Sequence, residues 1–166
     1  MSEAGEHLRV PAVCFQRDLP GPIERVWAHL TGCDKLSGWF GEAGVIEPGE
    51  GGGINFMNGH IRGVVTRWRP PWRLAYTWNV FGPGDDESAY PESYLSFALT
   101  ASGDAVKLTL THLPVLERFK AQNAMGWHTF LDMMSATLRG EPVLNRGVYM
   151  QKNAKLYGVD LNNLQR

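Results

Sequence analysis

The hydrophobic pattern of this chain changes its period twice, and that change constrains the fold more than any other feature. From about residue 42 to residue 113, apolar and polar residues alternate in short runs such as "RLAYTWNV" and "AVKLTLTH", separated by Gly, Pro and Asn. Such alternation is typical of antiparallel strands with one buried face. On both sides of this region the apolar spacing is helical. The order of elements therefore predicts an α+β fold with a largely antiparallel sheet.

One strand and two short helices are predicted ahead of the sheet. The stretch "AVCFQRDL" (12–19) alternates and is predicted to be the first strand. "GPIERVWAHLT" then carries an apolar stripe at helical spacing, with a proline at its start, where helices tolerate one. A second short helix is predicted in "DKLSGWFG", and its inward-facing residues are Leu36, Trp39 and Phe40.

A long amphipathic helix is predicted to close the domain and cover one face of the sheet. It spans about six turns and ends at Gly140, with Gly126 in its interior. The residues that share its buried stripe are Leu116, Phe119, Asn123, Trp127, Phe130, Met134 and Leu138. Asn123 is the polar exception in this stripe, and a buried amide requires a hydrogen-bond partner. The tail from Glu141 onward has weak periodicity.

Composition excludes several classes of partner. The chain has 16 basic and 17 acidic residues, a formal net charge of −1, which argues against nucleic-acid or anionic-membrane binding. No apolar stretch is long enough to cross a bilayer, and the first ten residues lack the pattern of a signal peptide. The spacing of Cys14 and Cys33 fits two free thiols in a reducing compartment. We therefore expect a cytoplasmic protein.

Motifs for catalysis or cofactor binding are not found in the sequence. The histidines lie in no metal-ligand pattern, so we expect no metal site. "GEGGG" (49–53) joins two strands and lacks the ending of a phosphate-binding loop, and the acidic run at 84–87 fits a solvated loop. His128 lies four residues before Asp132, a spacing that predicts a surface pair on the long helix. No cofactor is expected.

His112 leaves two interpretations open. It follows Val106, Leu108 and Leu110 in the alternation of its strand, so its imidazole could face the interior and contact a ligand or act as a base. The more common arrangement is a histidine hydrogen-bonded to backbone where a strand meets a loop. Together with Tyr76 and Asn123, an interior His112 would supply the few polar groups of an otherwise apolar pocket.

The three tryptophans in "RWRPPWRLAYTW" (67–78) raise the question of a binding role. Pro70 and Pro71 are predicted to form the turn of a hairpin. Trp78 is predicted to point toward the long helix, near Trp127, whereas Trp72 lies at the turn and the strand parity of Trp68 is ambiguous. Burial of tryptophan stabilises a fold without any ligand, so this cluster is predicted to be mainly architectural.

Several stretches resemble the AHSA-type family, the homologues of the activator of heat-shock-protein ATPase. They are "PIERVWAHLTGCDKLSGWF", "GVVTRWRPPWRLAYTW", "LTLTH" and "GWHTFLDMMSATLRG", which occur in the same order as in the family and span about residues 12–140. The resemblance implies the helix-grip fold of the START-like (SRPBCC) superfamily. In that fold a curved antiparallel sheet wraps around a long C-terminal helix and leaves a cavity between them.

The resemblance also implies domain bounds and a candidate site. It divides the chain into an N-terminal segment (1–11), a helix-grip domain (12–140) and a C-terminal extension (141–166), which either packs back on the domain or contributes to a homodimer contact. Members of the superfamily commonly hold apolar molecules in the cavity. The residues expected to line it here are Phe56, Tyr76, Trp78, Phe97, His112, Asn123, Trp127 and Phe130.

Three functions are consistent with this fold. The leading hypothesis is a binding module for an apolar small molecule. The second is an enzyme of the cyclase or aromatase kind that uses a cavity imidazole or tyrosine as its acid–base group. The third is a chaperone-assisting or other protein-interaction role, although the sequence shows no separate amino-terminal chaperone-binding domain, so a chaperone contact is unsupported. Fold alone does not decide among them.

Overall fold

A single antiparallel sheet dominates the structure, a computed structural model that describes residues 3–40 and 44–165. Its strands are β1 (Val13–Pro20), β2 (Val45–Ile46), β3 (Gly53–Phe56), β4 (Ile61–Arg69), β5 (Arg73–Val80), β6 (Ser93–Ser102) and β7 (Ala105–Leu113). Within the described residues the sheet has seven strands in the order β1-β7-β6-β5-β4-β3-β2. Residues 41–43, where the hydrophobic period was predicted to change, lie outside the described residues, as do residues 1–2 and 166 of the predicted terminal segments.

The helices complete the predicted architecture. They are α1 (Ile23–Thr31), α2 (Cys33–Trp39), α3 (Lys120–Leu138) and α4 (Arg146–Tyr157). The first two follow β1 directly, and α3 packs against β1 and α2 inside the curve of the sheet. This confirms the α+β fold, with a curved antiparallel sheet wrapped around a long helix and two short helices after the first strand.

The long helix starts later and is covered more completely than the sequence predicts. Its first predicted turn is a separate 3-10 turn at Glu117–Phe119, and α3 proper begins at Lys120. Besides members of the predicted stripe, α3 buries Met125, Thr129 and Met133. Both sides of α3 are buried because the sheet covers one and α4 covers the other.

Helix α4 packs back on the domain, and its polar contacts are buried. Asn145 caps its start by accepting a hydrogen bond from the Gly147 N–H, and Gly158 ends it with a φ of 66°. In the middle of the helix Asn153 is fully buried, and its amide donates to Thr129 Oγ1 over 3.2 Å and to Asp132 Oδ2 over 3.1 Å. The hydrophobic pattern did not predict this helix, because polar side chains make its buried contacts.

The His128–Asp132 pair forms, but it is not a surface pair. His128 Nε2 lies 3.6 Å from Asp132 Oδ1, with the two side chains only 18% and 20% exposed. The hydroxyl of Tyr157, at the end of α4, lies 2.8 Å from His128 Nδ1. Burial lowers the pKa of His128. The prediction of a surface position was wrong because α4 covers this side of α3.

The pairing between β4 and β5 depends on one threonine side chain. The strands pair at Arg62–Asn79 and at Val65–Tyr76. Between these pairs the Val64 N–H donates to Thr77 Oγ1 over 2.9 Å. A Cβ at Gly63 would overlap the Thr77 carbonyl oxygen, so the close approach of the two strands at this point requires glycine.

Replacing Thr77 by valine is expected to lower the free energy of unfolding by about 1–2 kcal/mol, because the Val64 N–H loses its acceptor while the side-chain volume stays the same. Urea unfolding of the two proteins measures the difference. Thr100→Val, at an exposed position on β6, is the matched control and should shift stability by less than about 0.5 kcal/mol. Equal shifts in the two variants would show that the Thr77 hydroxyl has no special role.

Candidate functional site

Aromatic rings fill the deep part of the cleft between the sheet and α3. The Phe40 ring stacks on Phe130 with centroids 4.6 Å apart and planes 7° apart. The same ring lies 4.7 Å from Phe56 and 5.9 Å from Trp127. Tyr76 extends the cluster at 5.7 Å from Phe56, and burial raises the pKa of its hydroxyl. The deep cleft is therefore packed with side chains.

An open pocket of about 320 Å³ remains at one end of the cleft. It lies where β5 and β7 end and where β6 and α3 begin. Of the predicted lining residues, Trp78, His112 and Asn123 line this pocket. The others are parts of the packed aromatic cluster, namely Phe56, Tyr76, Phe97, Trp127 and Phe130. The structure thus brings the predicted polar residues together with one tryptophan at the mouth of the cleft.

The outer wall of the pocket is an aromatic pair that the sequence analysis missed. Tyr90, from the loop between β5 and β6, meets Phe119 edge to face with centroids 5.1 Å apart. The Arg118 guanidinium lies 4.8 Å from the Phe119 centroid and 5.9 Å from that of Tyr90. Ser88 holds the loop by accepting from the Val80 N–H and donating to the Tyr90 carbonyl. No sequence pattern indicates this contact, because the loop has no periodicity and also contains Phe81.

The floor of the pocket is a chain of buried hydrogen bonds centred on His112. The Trp127 Nε1–H donates to His112 Nδ1 over 3.0 Å, and an indole N–H can only donate. His112 Nδ1 is therefore the acceptor, and Nε2 carries the proton that is donated to Ser93 Oγ, 2.8 Å away. The Ser93 hydroxyl in turn donates to the Trp78 carbonyl over 3.4 Å. This chain fixes one neutral tautomer of the imidazole.

The environment keeps His112 uncharged. The side chain is only 2% exposed, and burial lowers its pKa to about 4, against the smaller opposing effect of the Asn123 amide, whose Oδ1 lies near the imidazole but makes no hydrogen bond with it. Of the two interpretations of the sequence, the interior position is correct, and the hydrogen-bond partners are side chains, not backbone. An imidazole with both nitrogens engaged and a pKa near 4 orients its neighbours and is a weak base at neutral pH.

Ser93 is a second residue that the sequence analysis missed, and here the signal was available. It lies two residues before Leu95 on β6. Because alternate residues of a strand share a face, Ser93 falls on the same buried face as Leu95 and Phe97. A hydroxyl in line with buried apolar residues indicates a buried hydrogen bond, which Ser93 makes with His112.

Asn123 presents an unpartnered carbonyl at the pocket. The residue lies in the first turns of α3, and its Oδ1 is buried without a hydrogen-bond partner among the described residues. A buried acceptor with no donor costs about 1–3 kcal/mol. The sequence predicts that Asn123 needs a hydrogen-bond partner, and no described residue donates to its Oδ1.

The three tryptophans of the 67–78 stretch have separate roles. Trp78 points toward α3 as predicted, with its ring 5.4 Å from that of Trp127. Trp68 packs edge-on against Trp27 at 5.1 Å. Trp72, in the turn between β4 and β5, is 59% exposed. Only Trp78 reaches the pocket among these three, so most of the cluster is architectural.

Neither metal nor membrane chemistry is indicated in the part of the chain that the structure describes. Across residues 3–40 and 44–165, no three His, Cys, Asp or Glu side chains are grouped so that they could hold a metal ion. None of the helices in these ranges has both the length and the apolar character that crossing a membrane requires.

Comparison with known proteins supports the architecture. Residues 20–139 match the family described as "Activator of Hsp90 ATPase homolog 1-like protein". No curated protein matches the sequence. The solution structure of the protein encoded by gene BPP1335 of Bordetella parapertussis is 26% identical, with a TM-score of 0.69, over 99% of this chain and 93% of that one.

Two further solved structures have the same fold at lower identity. CalU16 from Micromonospora echinospora is 24% identical, with a TM-score of 0.68, over 89% of this chain and 86% of that one. The Aha1 dimer from Colwellia psychrerythraea is 20% identical, with a TM-score of 0.63, over 77% of this chain and 96% of that one. At these identities the likeness shows the sheet-and-helix fold.

Proposed function

The chain belongs to the family of Activator of Hsp90 ATPase homolog 1-like proteins, and from this premise we propose that it binds an apolar small molecule at the mouth of the cleft. The pocket between Trp78, Phe119 and His112 is the observation that carries this proposal. It combines aromatic walls with a few oriented polar groups, which is the usual composition of a small-molecule site.

The volume of the pocket sets the size of the ligand. An apolar cavity of about 150 Å³ holds one benzene ring. The pocket, at about 320 Å³, therefore has room for about two rings. A ligand of that size would contact Trp78, His112 and Asn123 directly. The other predicted residues, in the packed cluster, would support the pocket from below, because Phe40 and Phe130 occupy the deeper space.

A reducing compartment such as the cytoplasm is the location that goes with this proposal. Cys14 and Cys33 are both exposed and unpaired, and exposed free thiols persist where the surroundings are reducing. Homodimer formation stays a prediction. The name of the Colwellia psychrerythraea neighbour describes a dimer of that protein.

Native mass spectrometry of gently purified protein, before and after exposure to a cell extract, tests the proposal. We expect a released mass of a few hundred daltons, the size of a drug-like ligand. Leu116→Trp, at the pocket wall, should reduce the occupied fraction at least tenfold because the larger side chain fills the pocket.

Leu113→Trp is the matched control for this experiment. Leu113 and Leu116 are both 37% exposed, but only Leu116 lines the pocket. The Leu113 variant should keep the wild-type occupancy. A bare mass in the wild type after exposure to extract, or equal occupancy in the two variants, would contradict binding at this pocket.

A further inference from the structure

The open acceptor on Asn123 specifies a chemical group on the ligand. The other polar atoms of the pocket floor already have partners: His112 Nδ1 accepts from Trp127, and His112 Nε2 donates to Ser93. Asn123 Oδ1 is buried and has no donor among the described residues. A ligand that offers a hydroxyl or N–H at this point gains a hydrogen bond and removes the cost of the unpaired carbonyl.

The charge of the lining excludes ionised ligands. Among the described residues that line the pocket there is no lysine, arginine, aspartate or glutamate. His112 is buried, and its two hydrogen bonds hold it in one neutral tautomer. A carboxylate or an ammonium group moved to the floor of this pocket, beside His112, would lose its hydration without gaining an opposite charge, because the Arg118 guanidinium is not part of the lining and His60 is exposed.

The aromatic walls favour a flat, ring-containing ligand. Trp78 lies on one side of the pocket, and the edge-to-face pair of Tyr90 and Phe119 forms another. Aromatic rings gain offset-stacked and edge-to-face contacts with such walls in addition to buried area. Aliphatic side chains, among them Val115 and Leu116, and the polar side chains of His60 and Gln122 complete the lining.

This inference rests on the proposed function. We propose that the ligand is a neutral hydroxylated aromatic molecule of about two rings, whose hydroxyl donates a hydrogen bond to Asn123 Oδ1. The rings lie between Trp78 and the Tyr90–Phe119 pair. The hydroxyl points toward the base of α3, where it supplies the donor that the buried Asn123 carbonyl lacks among the described residues. Asn123 then selects the ligand by its donor, and the aromatic walls select it by shape.

Binding of four related probes to the purified protein, measured by ligand-observed NMR titration, tests this inference. The probes are 2-naphthol, naphthalene, 2-methoxynaphthalene and 2-naphthoate. We expect 2-naphthol to bind about tenfold more tightly than naphthalene or 2-methoxynaphthalene, because only it donates a hydrogen bond. The carboxylate of 2-naphthoate should make it the weakest ligand.

Variants assign the preference to one residue. In Asn123→Leu the advantage of 2-naphthol over naphthalene should fall to within about twofold, while naphthalene itself still binds. Asn123→Ala is the second variant, with the smaller side chain, and should give the same loss of preference. Gln151→Leu is the matched control: Gln151 is exposed on α4 and is not part of the pocket lining. This control should keep the tenfold preference.

The outcomes separate this inference from the proposed function. If the three neutral probes bind the wild type equally well, the hydroxyl preference is wrong while binding at the pocket stands. A preference that persists in both Asn123 variants would also overturn the inference, because another group would then be the acceptor. If none of the probes binds the wild type, the inference fails, and the proposed function is then decided separately by whether native mass spectrometry finds a released mass.

Discussion

Replacing Phe40 by alanine is expected to lower the free energy of unfolding by about 3–5 kcal/mol, the largest effect of any single substitution considered for this protein. The Phe40 side chain is fully buried, and its ring lies within 4.7 Å of Phe56 and 4.6 Å of Phe130. It also borders Trp127 at 5.9 Å. Removing the ring leaves a cavity among aromatic side chains that are too rigid to close it completely.

Urea unfolding followed by circular dichroism measures this loss without depending on tryptophan fluorescence, which the substitution itself would change. Trp72→Ala is the control, since it removes an even larger ring from a position that is 59% exposed. That variant should change stability by less than about 0.5 kcal/mol. A Phe40 variant that is as stable as the Trp72 variant would mean that the deep cleft is not packed around this ring.

A loss of stability on acidification is expected from His112. Burial is the largest cause that lowers the pKa of His112 from 6.5 to about 4 in the folded protein. Between these values the unfolded chain binds a proton that the folded protein does not, so the free energy of unfolding falls as pH decreases. The part of the free energy of unfolding that depends on a neutral His112 is fully present above pH 6.5 and is lost by about pH 4. Its size is on the order of 3 kcal/mol.

The pH dependence can be assigned to this residue by comparing slopes. His29 and His128 also have pKa values lowered by burial, so the wild-type slope includes their contributions. Urea unfolding of wild type and of His112→Gln at several pH values between 4 and 7 isolates the His112 part as the difference between the two curves. The same substitution at the exposed His60, His60→Gln, is measured in parallel to control for replacing a histidine by glutamine.

If the His112→Gln curve runs parallel to the wild-type curve, His112 does not change its protonation on unfolding. The description of His112 as a neutral imidazole with two hydrogen bonds at the floor of the pocket would then be wrong. A smaller dependence of the free energy of unfolding on pH in His112→Gln than in the wild type would support that description.

The local hydrophobic pattern correctly predicted which face of these strands and helices is buried. Alternation over 73–80 placed Trp78 on the buried face of its strand, and helical spacing placed Trp127 on the buried side of α3; the two rings lie 5.4 Å apart. Period 2 and period 3.6 reveal which side of an element is apolar. The order of those elements was sufficient for the α+β fold, whereas the likeness to the family came from particular sequence stretches such as "GVVTRWRPPWRLAYTW".

Contacts between distant parts of the chain decided the site. Phe40 was predicted to face inward, but only the folded chain shows that its ring stacks on Phe130 and closes the deep cleft. Tyr90 belongs to a loop without periodicity, so no pattern indicated that it would meet Phe119. Helix α4 was missed because Asn153 anchors it through polar contacts, which a hydrophobic pattern does not record.

The sequence by itself determined the order of the elements, the buried face of each, and the presence of a polar histidine and asparagine among apolar neighbours. Only the tertiary structure decided where open space remains, that His112 is neutral and fully bonded, and that no described residue donates to Asn123 Oδ1. The physical reason is that burial of a face follows from local periodicity, whereas a cavity and an unpaired acceptor depend on how side chains far apart in sequence fill the same space.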